Sequence, residues 1–294
     1  MPWLQIKFEI TSEHADELAE TLNELGAEAV TFQDSANQPL YEPPLGTTPL
    51  WNQTTVVGLF SAQTNVEYIL SQIRSRLDES FLNSYQLVPL EDQEWEKTWM
   101  DGFHPMQFGD GLWICPSWST IPNPDATNII LDPGLAFGTG THPTTALCLE
   151  WLDQHPPLQR QVIDYGCGSG VLALACAKLG AARIWAIDND PQALQATKAN
   201  AEKNGISSEF LSVCFPEELP AIKIDLLIAN ILANPLIELA PRFAQLLTKD
   251  ATIVLSGILL EQKQIVMEAY TPWFQMGPPI EAGEWLLLQG TRKP

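Results

Sequence analysis

The sequence predicts an α/β protein made of two domains of different type. Strand and helix patterns follow a β-α-β-β-α-β order over residues 1–90. A different alternation, one strand followed by one helix, begins near Ile129 and predicts a mostly parallel sheet. A glycine-rich turn between two apolar strands, starting at Gly166, predicts a nucleoside-binding βαβ unit in the second domain.

Length and composition are those of a globular protein. The chain has 294 residues, of which 45% are hydrophobic, so both domains can bury a core. No basic segment leads into an apolar run at the N-terminus, and no stretch reaches the ~18 apolar residues of a membrane span, so we expect a cytoplasmic protein without membrane contact. The cysteines and histidines are scattered without ligand-like spacing, and no metal site is predicted.

The charge balance limits the kinds of partner. A formal net charge of −21 argues against nucleic-acid binding, since phosphate backbones are bound by clustered Lys and Arg. Residues 1–90 carry twelve acidic and three basic side chains, a net charge of −9. The sequence therefore favours a basic, Lys-rich partner, with the alternative that acidity only confers solubility.

The first domain begins with a strand and an amphipathic helix. Apolar and polar side chains alternate over residues 3–10, as in a half-buried strand. A helix is predicted from Ser12, and Gly26 is placed to end it. Its apolar positions recur at helical spacing: Ala15, Leu18, Ala19, Leu22 and Leu25.

A second helix and three more strands complete the first domain. The helix begins at Val66, with Thr64 or Asn65 as its N-cap. The strands are predicted over residues 29–33, 55–61 and 85–88. The resulting plan is an α+β ferredoxin-like domain. It contains no nucleotide or catalytic motif, so substrate recognition is the remaining hypothesis for residues 1–90.

An aromatic segment follows. Trp95, Trp99 and Phe103 recur at four-residue intervals and predict a connecting helix with one aromatic face. We assign residues 91–128 to this Trp-rich linker and the start of the second domain, and residues 129–294 to the second domain proper.

The glycine turn predicts the class of ligand. Gly166, Gly168 and Gly170 let backbone approach a ligand, and Asp188 at the end of the next strand could accept hydrogen bonds from both ribose hydroxyls. The G-x-G-x-G spacing departs from the dinucleotide pattern, and Asp164 could bind an ammonium but would repel a pyrophosphate. S-adenosylmethionine is therefore the favoured cofactor, and an NAD-dependent oxidoreductase is the alternative.

The rest of the second domain fits a methyl-transferring fold. The apolar run 224–230 ends on Asn230, whose carboxamide would stand at the carboxyl edge of the sheet and could orient an amine. A strand over 252–256, a helix over 262–270 and a strand over 285–289 complete a Rossmann-like, seven-stranded domain typical of class I methyltransferases. In the loop 132–145, Thr hydroxyls offer donors to the cofactor; His142 is a candidate base, but such a histidine more often only orders its loop.

Four motifs together resemble one known family. They are Phe137–Thr145 (F-G-T-G-T-H-P-T-T), Asp164–Gly170 (D-Y-G-C-G-S-G), Asp188–Pro191 (D-N-D-P) and Asn230–Ala233 (N-I-L-A). With them, the chain resembles the bacterial ribosomal protein L11 methyltransferases over nearly its whole length. The loop together with the N-I-L-A run is far more specific than the glycine turn, which many unrelated enzymes share.

This resemblance implies both a reaction and its residues. It implies transfer of methyl groups from S-adenosylmethionine to lysine ε-amines and the N-terminal α-amine of a large-subunit ribosomal protein, up to trimethyl-lysine, with the ferredoxin-like domain recognising that protein. Carried over position by position, it implies that Thr145, Gly166, Asp188 and Asn230 contact the cofactor.

The residues themselves point to an aliphatic amine. Methyltransferases of planar nitrogens resemble one another in an Asn/Asp-Pro-Pro-aromatic motif, whereas the run from Asn230 to Ala233 has neither proline nor ring. We predict Asn230 as the catalytic residue that holds the neutral amine, and Ala233 as leaving room for added methyl groups. Besides the NAD-dependent oxidoreductase, two alternatives stay open: a class I methyltransferase of another protein or a small amine, and a non-catalytic sensor, whose motifs would be degraded.

Overall fold

The computed structural model describes residues 3–36, 38, 47–77, 85–90, 103–132 and 140–294. The chain divides into two compact units, Met1–Thr98 and Trp99–Pro294, and this boundary falls inside the aromatic segment 91–128. The connecting helix predicted through Trp95 and Trp99 lies outside the described residues, and the described Phe103 is not helical.

The first unit has the element order expected from its sequence. It comprises β1 (Trp3–Thr11), α1 (Ser12–Glu24), β2 (Ala29–Asp34), β3 (Gln53–Ser61), α2 (Val66–Arg76) and β4 (Tyr85–Leu90). The strands pair antiparallel in the order β2-β3-β1-β4. Asn65 is the N-cap of α2, since its side chain accepts the Tyr68 N–H at 3.1 Å. Apolar side chains of both helices and of the sheet form one core cluster.

A small three-stranded sheet was not predicted. It consists of β5 (Met106–Phe108), β6 (Leu112–Cys115) and β7 (Thr127–Ile130). β5 and β6 pair antiparallel, and β6 and β7 pair parallel. Strands of three or four residues are too short for an alternating pattern to stand out from chance.

The second unit has the predicted Rossmann-like architecture. Its main-sheet strands are β8 (Gln161–Tyr165), β9 (Arg183–Ile187), β10 (Leu211–Cys214), β11 (Ile224–Asn230), β12 (Leu247–Leu259), β13 (Phe274–Met276), β14 (Ile280–Ala282) and β15 (Trp285–Arg292). Its helices are α3 (Pro143–Gln154), α4 (Val171–Lys178), α5 (Pro191–Lys203), α6 (Ala233–Leu246) and α7 (Lys263–Tyr270). Seven strands follow the order β10-β9-β8-β11-β12-β15-β13, and β14 pairs with β15.

Strand direction and helix packing confirm the class I methyltransferase fold. β8 to β12 pair parallel, and β15 runs antiparallel to its neighbours. Helices α3, α4 and α5 pack on one face of the sheet, and α6 and α7 pack on the other. Val162 and Ile163 of β8 belong to opposite core clusters, because successive side chains of a strand point to opposite faces.

The order of the strands also locates the ligand site. From β8 the chain proceeds outward to β9 and β10, then crosses to β11 on the other side of β8. Open α/β sheets bind ligands at such a switch point, outside the carboxyl ends of the strands. Among the helices of the described ranges, none combines the length and apolar character needed to cross a membrane.

Candidate functional site

A pocket lies at the switch point between β8 and β11. The four residues predicted to contact the cofactor, Thr145, Gly166, Asp188 and Asn230, all line it. Its volume is about 230 Å³, and its other lining residues are Cys167, Gly168, Val171, Leu172, Asn189 and Ile231. Residues separated by up to 85 positions in the sequence are thus brought to one site. Their contact with a cofactor stays a prediction.

Backbone hydrogen bonds to the end of β9 hold the glycine turn, which joins β8 to α4. The N–H groups of Gly166 and Cys167 both donate to the Ile187 carbonyl, at 2.7 and 2.9 Å. Gly166 and Gly170 have φ of +80° and +81°, a region that side chains other than glycine rarely adopt. A Cβ on Gly170 would also lie 2.7 Å from Thr197 Cγ2. The turn therefore requires glycine for both conformation and space.

Asp188 lies directly after β9 at the rim of the pocket. Its Oδ2 accepts the Gly168 N–H at 2.9 Å, and its Oδ1 accepts the Asp190 N–H at 3.0 Å. A carboxylate oxygen has two lone pairs, so each oxygen retains capacity for a ribose hydroxyl. The same carboxylate thus orients the glycine turn and is placed to accept hydrogen bonds from a nucleoside.

Asn230 and Thr145 form one wall of the pocket, because both line it and their side chains contact each other. The Asn230 Nδ2 donates to Thr145 Oγ1 at 3.3 Å, which leaves the Asn230 Oδ1 available as an acceptor. Thr145 is buried in the first turn of α3, and its N–H donates to the His142 carbonyl at 3.0 Å. An amide oxygen at the end of β11 can accept a hydrogen bond from an amine.

His142 is the N-cap of α3. Its Nδ1 lies 2.7 Å from Thr144 Oγ1 and accepts the Thr144 N–H at 3.4 Å. Its ring meets the ring of Trp285 edge-on at 4.9 Å, and burial lowers the pKa of the imidazole. These contacts fit a histidine that orders the start of α3, which was the favoured interpretation of this loop residue.

Asp164 has a different environment from the one its motif suggested. The carboxyl group is 1% exposed, is not among the pocket-lining residues, and its Oδ2 accepts the Ala173 N–H at 2.9 Å in the first turn of α4. Oδ1 has no hydrogen-bond partner among the residues that the structure describes. Burial raises the pKa of Asp164 to about 7, and the negative charge of Asp188 adds to this rise. Asp164 therefore supports the helix rather than lining the pocket.

Ala233 also differs from its expected position. It is the first residue of α6 and is fully buried in the core, whereas Asn230 and Ile231 of the same N-I-L-A run line the pocket. The structure thus gives no support to the idea that Ala233 makes room for a methylated amine.

Two residues at the site were not singled out from the sequence. Ile231 lines the pocket beside Asn230, and Gly257 in β12 has a φ of +82° and contacts the Ile231 backbone. A lone glycine inside an apolar strand indicates a bulge or a close backbone approach. This pattern is the signal from which Gly257 could have been predicted. Among the described residues, no group of His, Cys, Asp and Glu is arranged to hold a metal ion.

Comparison with known proteins gives consistent matches. A family model described as "Ribosomal protein L11 methyltransferase (PrmA)" matches residues 2–293. The chain is 51% identical over 296 residues to a protein of that name from Marinobacter nauticus, with 100% of this chain and 99% of the relative covered. A protein of that name from Pseudomonas paraeruginosa is 50% identical over 293 residues, with 100% of this chain and 99% of the relative covered.

A solved structure also matches. It is a ribosomal protein L11 methylase from Lactobacillus delbrueckii subsp. bulgaricus, with 32% sequence identity and a TM-score of 0.59. The match covers 65% of this chain and 99% of that one.

Proposed function

Because the chain belongs to the ribosomal protein L11 methyltransferase family, we propose that it transfers methyl groups from S-adenosylmethionine to amines of ribosomal protein L11. One observation carries the proposal beyond the family: Thr145, Gly166, Asp188 and Asn230 line a single pocket at the switch point of the sheet. A glycine cradle, a strand-end carboxylate and an amide wall together fit a nucleoside that carries an amino-acid moiety.

We further propose that the acceptors are lysine ε-amines and the N-terminal α-amine, with trimethyl-lysine as the final product. The corner after β11 supports an aliphatic acceptor, because Asn230 is followed by Ile231 and Leu232 and not by an aromatic platform. The amide oxygen of Asn230 suits a tetrahedral amine, which can present one N–H to an acceptor and its lone pair to the methyl group.

The chain's own residues act mainly by positioning. S-adenosylmethionine supplies an electrophilic methyl group on a sulfonium. Asp188 holds the ribose, the glycine turn admits the nucleoside, and Asn230 orients the attacking nitrogen along the line of displacement. Alignment of this kind accounts for much of the rate in a reaction that forms one bond while it breaks another.

The acceptor amine must release a proton to water before its lone pair attacks the methyl carbon, as the carbon–sulfur bond breaks and S-adenosylhomocysteine leaves. A lysine side chain with a pKa of about 10.4 is almost fully protonated near neutral pH. Transfer out of water and the nearby positive sulfonium both favour the neutral amine, so the pocket lowers the pKa of the bound lysine. Asn230 can hold that neutral amine without itself exchanging a proton.

The acidic character of the chain supports a basic substrate. We propose that residues 1–90, with a net charge of −9, recognise a Lys-rich ribosomal protein and that the enzyme has no direct nucleic-acid partner. A substrate of this kind would place the reaction in the cytoplasm.

A labelling experiment tests the proposed function. The purified protein is incubated with labelled S-adenosylmethionine and an extract of cells in which L11 is unmethylated, and the labelled proteins and their modified residues are identified by mass spectrometry. We expect label on lysine and on the N-terminal amine of L11. Label on other proteins alone would refute the substrate, and thermal protection by NAD instead of S-adenosylhomocysteine would refute the cofactor.

A further inference from the structure

Ile231 packs against two glycines, Gly166 in the turn after β8 and Gly257 in β12. A Cβ added to Gly166 would stand 2.2 Å from Ile231 Cγ2. A Cβ added to Gly257 would stand 2.3 Å from the Ile231 carbonyl oxygen and 2.8 Å from its carbonyl carbon. The side chain of Ile231 therefore occupies the space beside the glycine turn, and the backbone of Ile231 packs against Gly257 of β12.

Gly257 lies at an irregularity in β12. The register of β12 against β15 shifts between Leu255 and Ile258, and Gly257 has a φ of +82° within that shift. The preceding Ser256 pairs in register with Asn230. Such a bulge bends a strand and changes where its residues point.

The bulge is anchored from two sides. Ser256 is fully buried, and its hydroxyl lies 3.3 Å from both the Thr144 and the Leu286 carbonyl oxygens, to either of which it can donate. Thr144 precedes Thr145, the residue that receives the Asn230 amide. The bulge in β12 thus pairs with Asn230 and contacts Thr144, the residue next to Thr145.

The corner after Asn230 depends on packing for its position. α6 begins at Ala233, and its N-cap Leu232 makes no side-chain capping hydrogen bond. Helix starts are usually held by such a cap. Here the backbone of Ile231 instead packs against Gly257 of β12, the next strand in the chain, at a position where a Cβ would collide with it.

We propose that Gly257 is a positioning residue for methyl transfer. Together with Gly166 it clamps Ile231, and the clamp sets the place of Asn230 relative to the cofactor pocket. The assignment of Asn230 as the residue that orients the amine rests on the proposed function, whereas the clamp itself is a property of the fold. A side chain at position 257 would collide with the Ile231 backbone, and a shift of that backbone would move the Ile231 side chain from the place it occupies beside Gly166.

Gly257→Ala and a matched control test the clamp. Gly205 also has a positive φ, of +69°, but no described atom lies within 4 Å of the place where its Cβ would be, so Gly205→Ala introduces backbone strain without a collision. We expect both variants to lose some thermal stability. Only Gly257→Ala should lose kcat for L11 methylation, about 100-fold, since a displacement of ~1 Å has an effect of that size. Equal kcat in the two variants would overturn the proposal.

A double variant separates the clamp from a simple fold defect. Ile231→Ala empties the space beside Gly166, so the displaced backbone can move into it. We expect Gly257→Ala/Ile231→Ala to be at least 10 times more active than Gly257→Ala alone. If the kcat losses of the two single variants simply multiply in the double variant, the clamp is contradicted. If Gly257→Ala is insoluble and the double variant is equally insoluble, the clamp is also contradicted, because Gly257 would then serve only the fold of β12.

Measurement of S-adenosylhomocysteine binding separates the test of the clamp from the test of the proposed function. Ile231 and Gly166 line the pocket, so Gly257→Ala should weaken S-adenosylhomocysteine binding by calorimetry and Ile231→Ala should restore it. If the wild-type protein failed to methylate L11, the proposed function would fall while these binding constants still tested the clamp. If Gly257→Ala left both S-adenosylhomocysteine binding and kcat unchanged, the clamp would be refuted and the proposed function would be unaffected.

Discussion

The side chains of Asn230 and Thr145 are joined by a hydrogen bond of 3.3 Å across 85 residues of sequence. One stands at the end of a central strand and the other in the first turn of α3. The bond orients the amide with its nitrogen toward the helix and its oxygen available to a substrate. The two most specific motifs of the sequence, the loop ending at Thr145 and the N-I-L-A run, therefore form one wall.

Asn230→Ala should separate binding from chemistry. The variant keeps the glycine turn and Asp188, so we expect S-adenosylhomocysteine to bind with little loss. Methylation of L11 should slow by about 100-fold, because the amine loses the acceptor that orients it. Calorimetry and single-turnover methylation measure the two effects, and normal turnover would remove Asn230 from the mechanism.

Asp188→Ala should abolish cofactor binding. It removes the proposed acceptor for the ribose and also the hydrogen bond from the Gly168 N–H, which orders the turn. Asp190→Ala is the matched control: Asp190 caps α5 through the Gln192 N–H at 2.8 Å, and its loss should lower stability by ~1 kcal/mol while binding persists. Calorimetry with S-adenosylhomocysteine distinguishes them, and a retained affinity in Asp188→Ala would rule out the ribose role.

Asp164→Asn should change how stability depends on pH. The folded-state pKa is raised from 3.8 to about 7, so between these values the unfolded chain has lost a proton that the folded chain retains. Stability contributed by Asp164 therefore falls as pH rises through this window and is constant above it. Asn can still accept the Ala173 N–H but has no proton to lose.

The expected result is a difference between variant and wild type that depends on pH. The free energy of unfolding of Asp164→Asn minus that of the wild type should grow by ~1.4 kcal/mol per pH unit between about pH 4 and pH 7, then level off. Urea unfolding at several pH values measures this difference. A constant difference across the range would contradict the elevated pKa.

Association with the substrate should weaken as salt rises. The chain carries a net charge of −21, and a Lys-rich protein would be attracted to it through interactions that salt screens over about 10 Å at 0.1 M. The KM for L11 should rise severalfold between 50 mM and 500 mM NaCl. S-adenosylhomocysteine affinity is the internal control and should change little; a KM that is independent of salt would eliminate the electrostatic role.

Much of the fold could be predicted because its signals are local. The alternation in β1, the amphipathic spacing in α1 and the cap at Asn65 each involve a few neighbouring residues, and all three are present. The short strands β5 to β7 were missed because their stability comes from pairing with one another, which leaves little trace in each segment. β12 extends beyond the predicted residues 252–256, because its outer residues are also held by pairing with other strands and leave little local pattern.

The sequence alone determined the kind of fold and predicted the residues that line the pocket, because period, glycine spacing and strand-end polar residues are properties of short segments. The tertiary structure decided which way the strand-end side chains face. Asp164 contacts α4, Ala233 enters the core, and Ile231 lies between Gly166 and Gly257. These orientations depend on the register of strands far apart in the chain and on one bulge in β12, which no local pattern specifies.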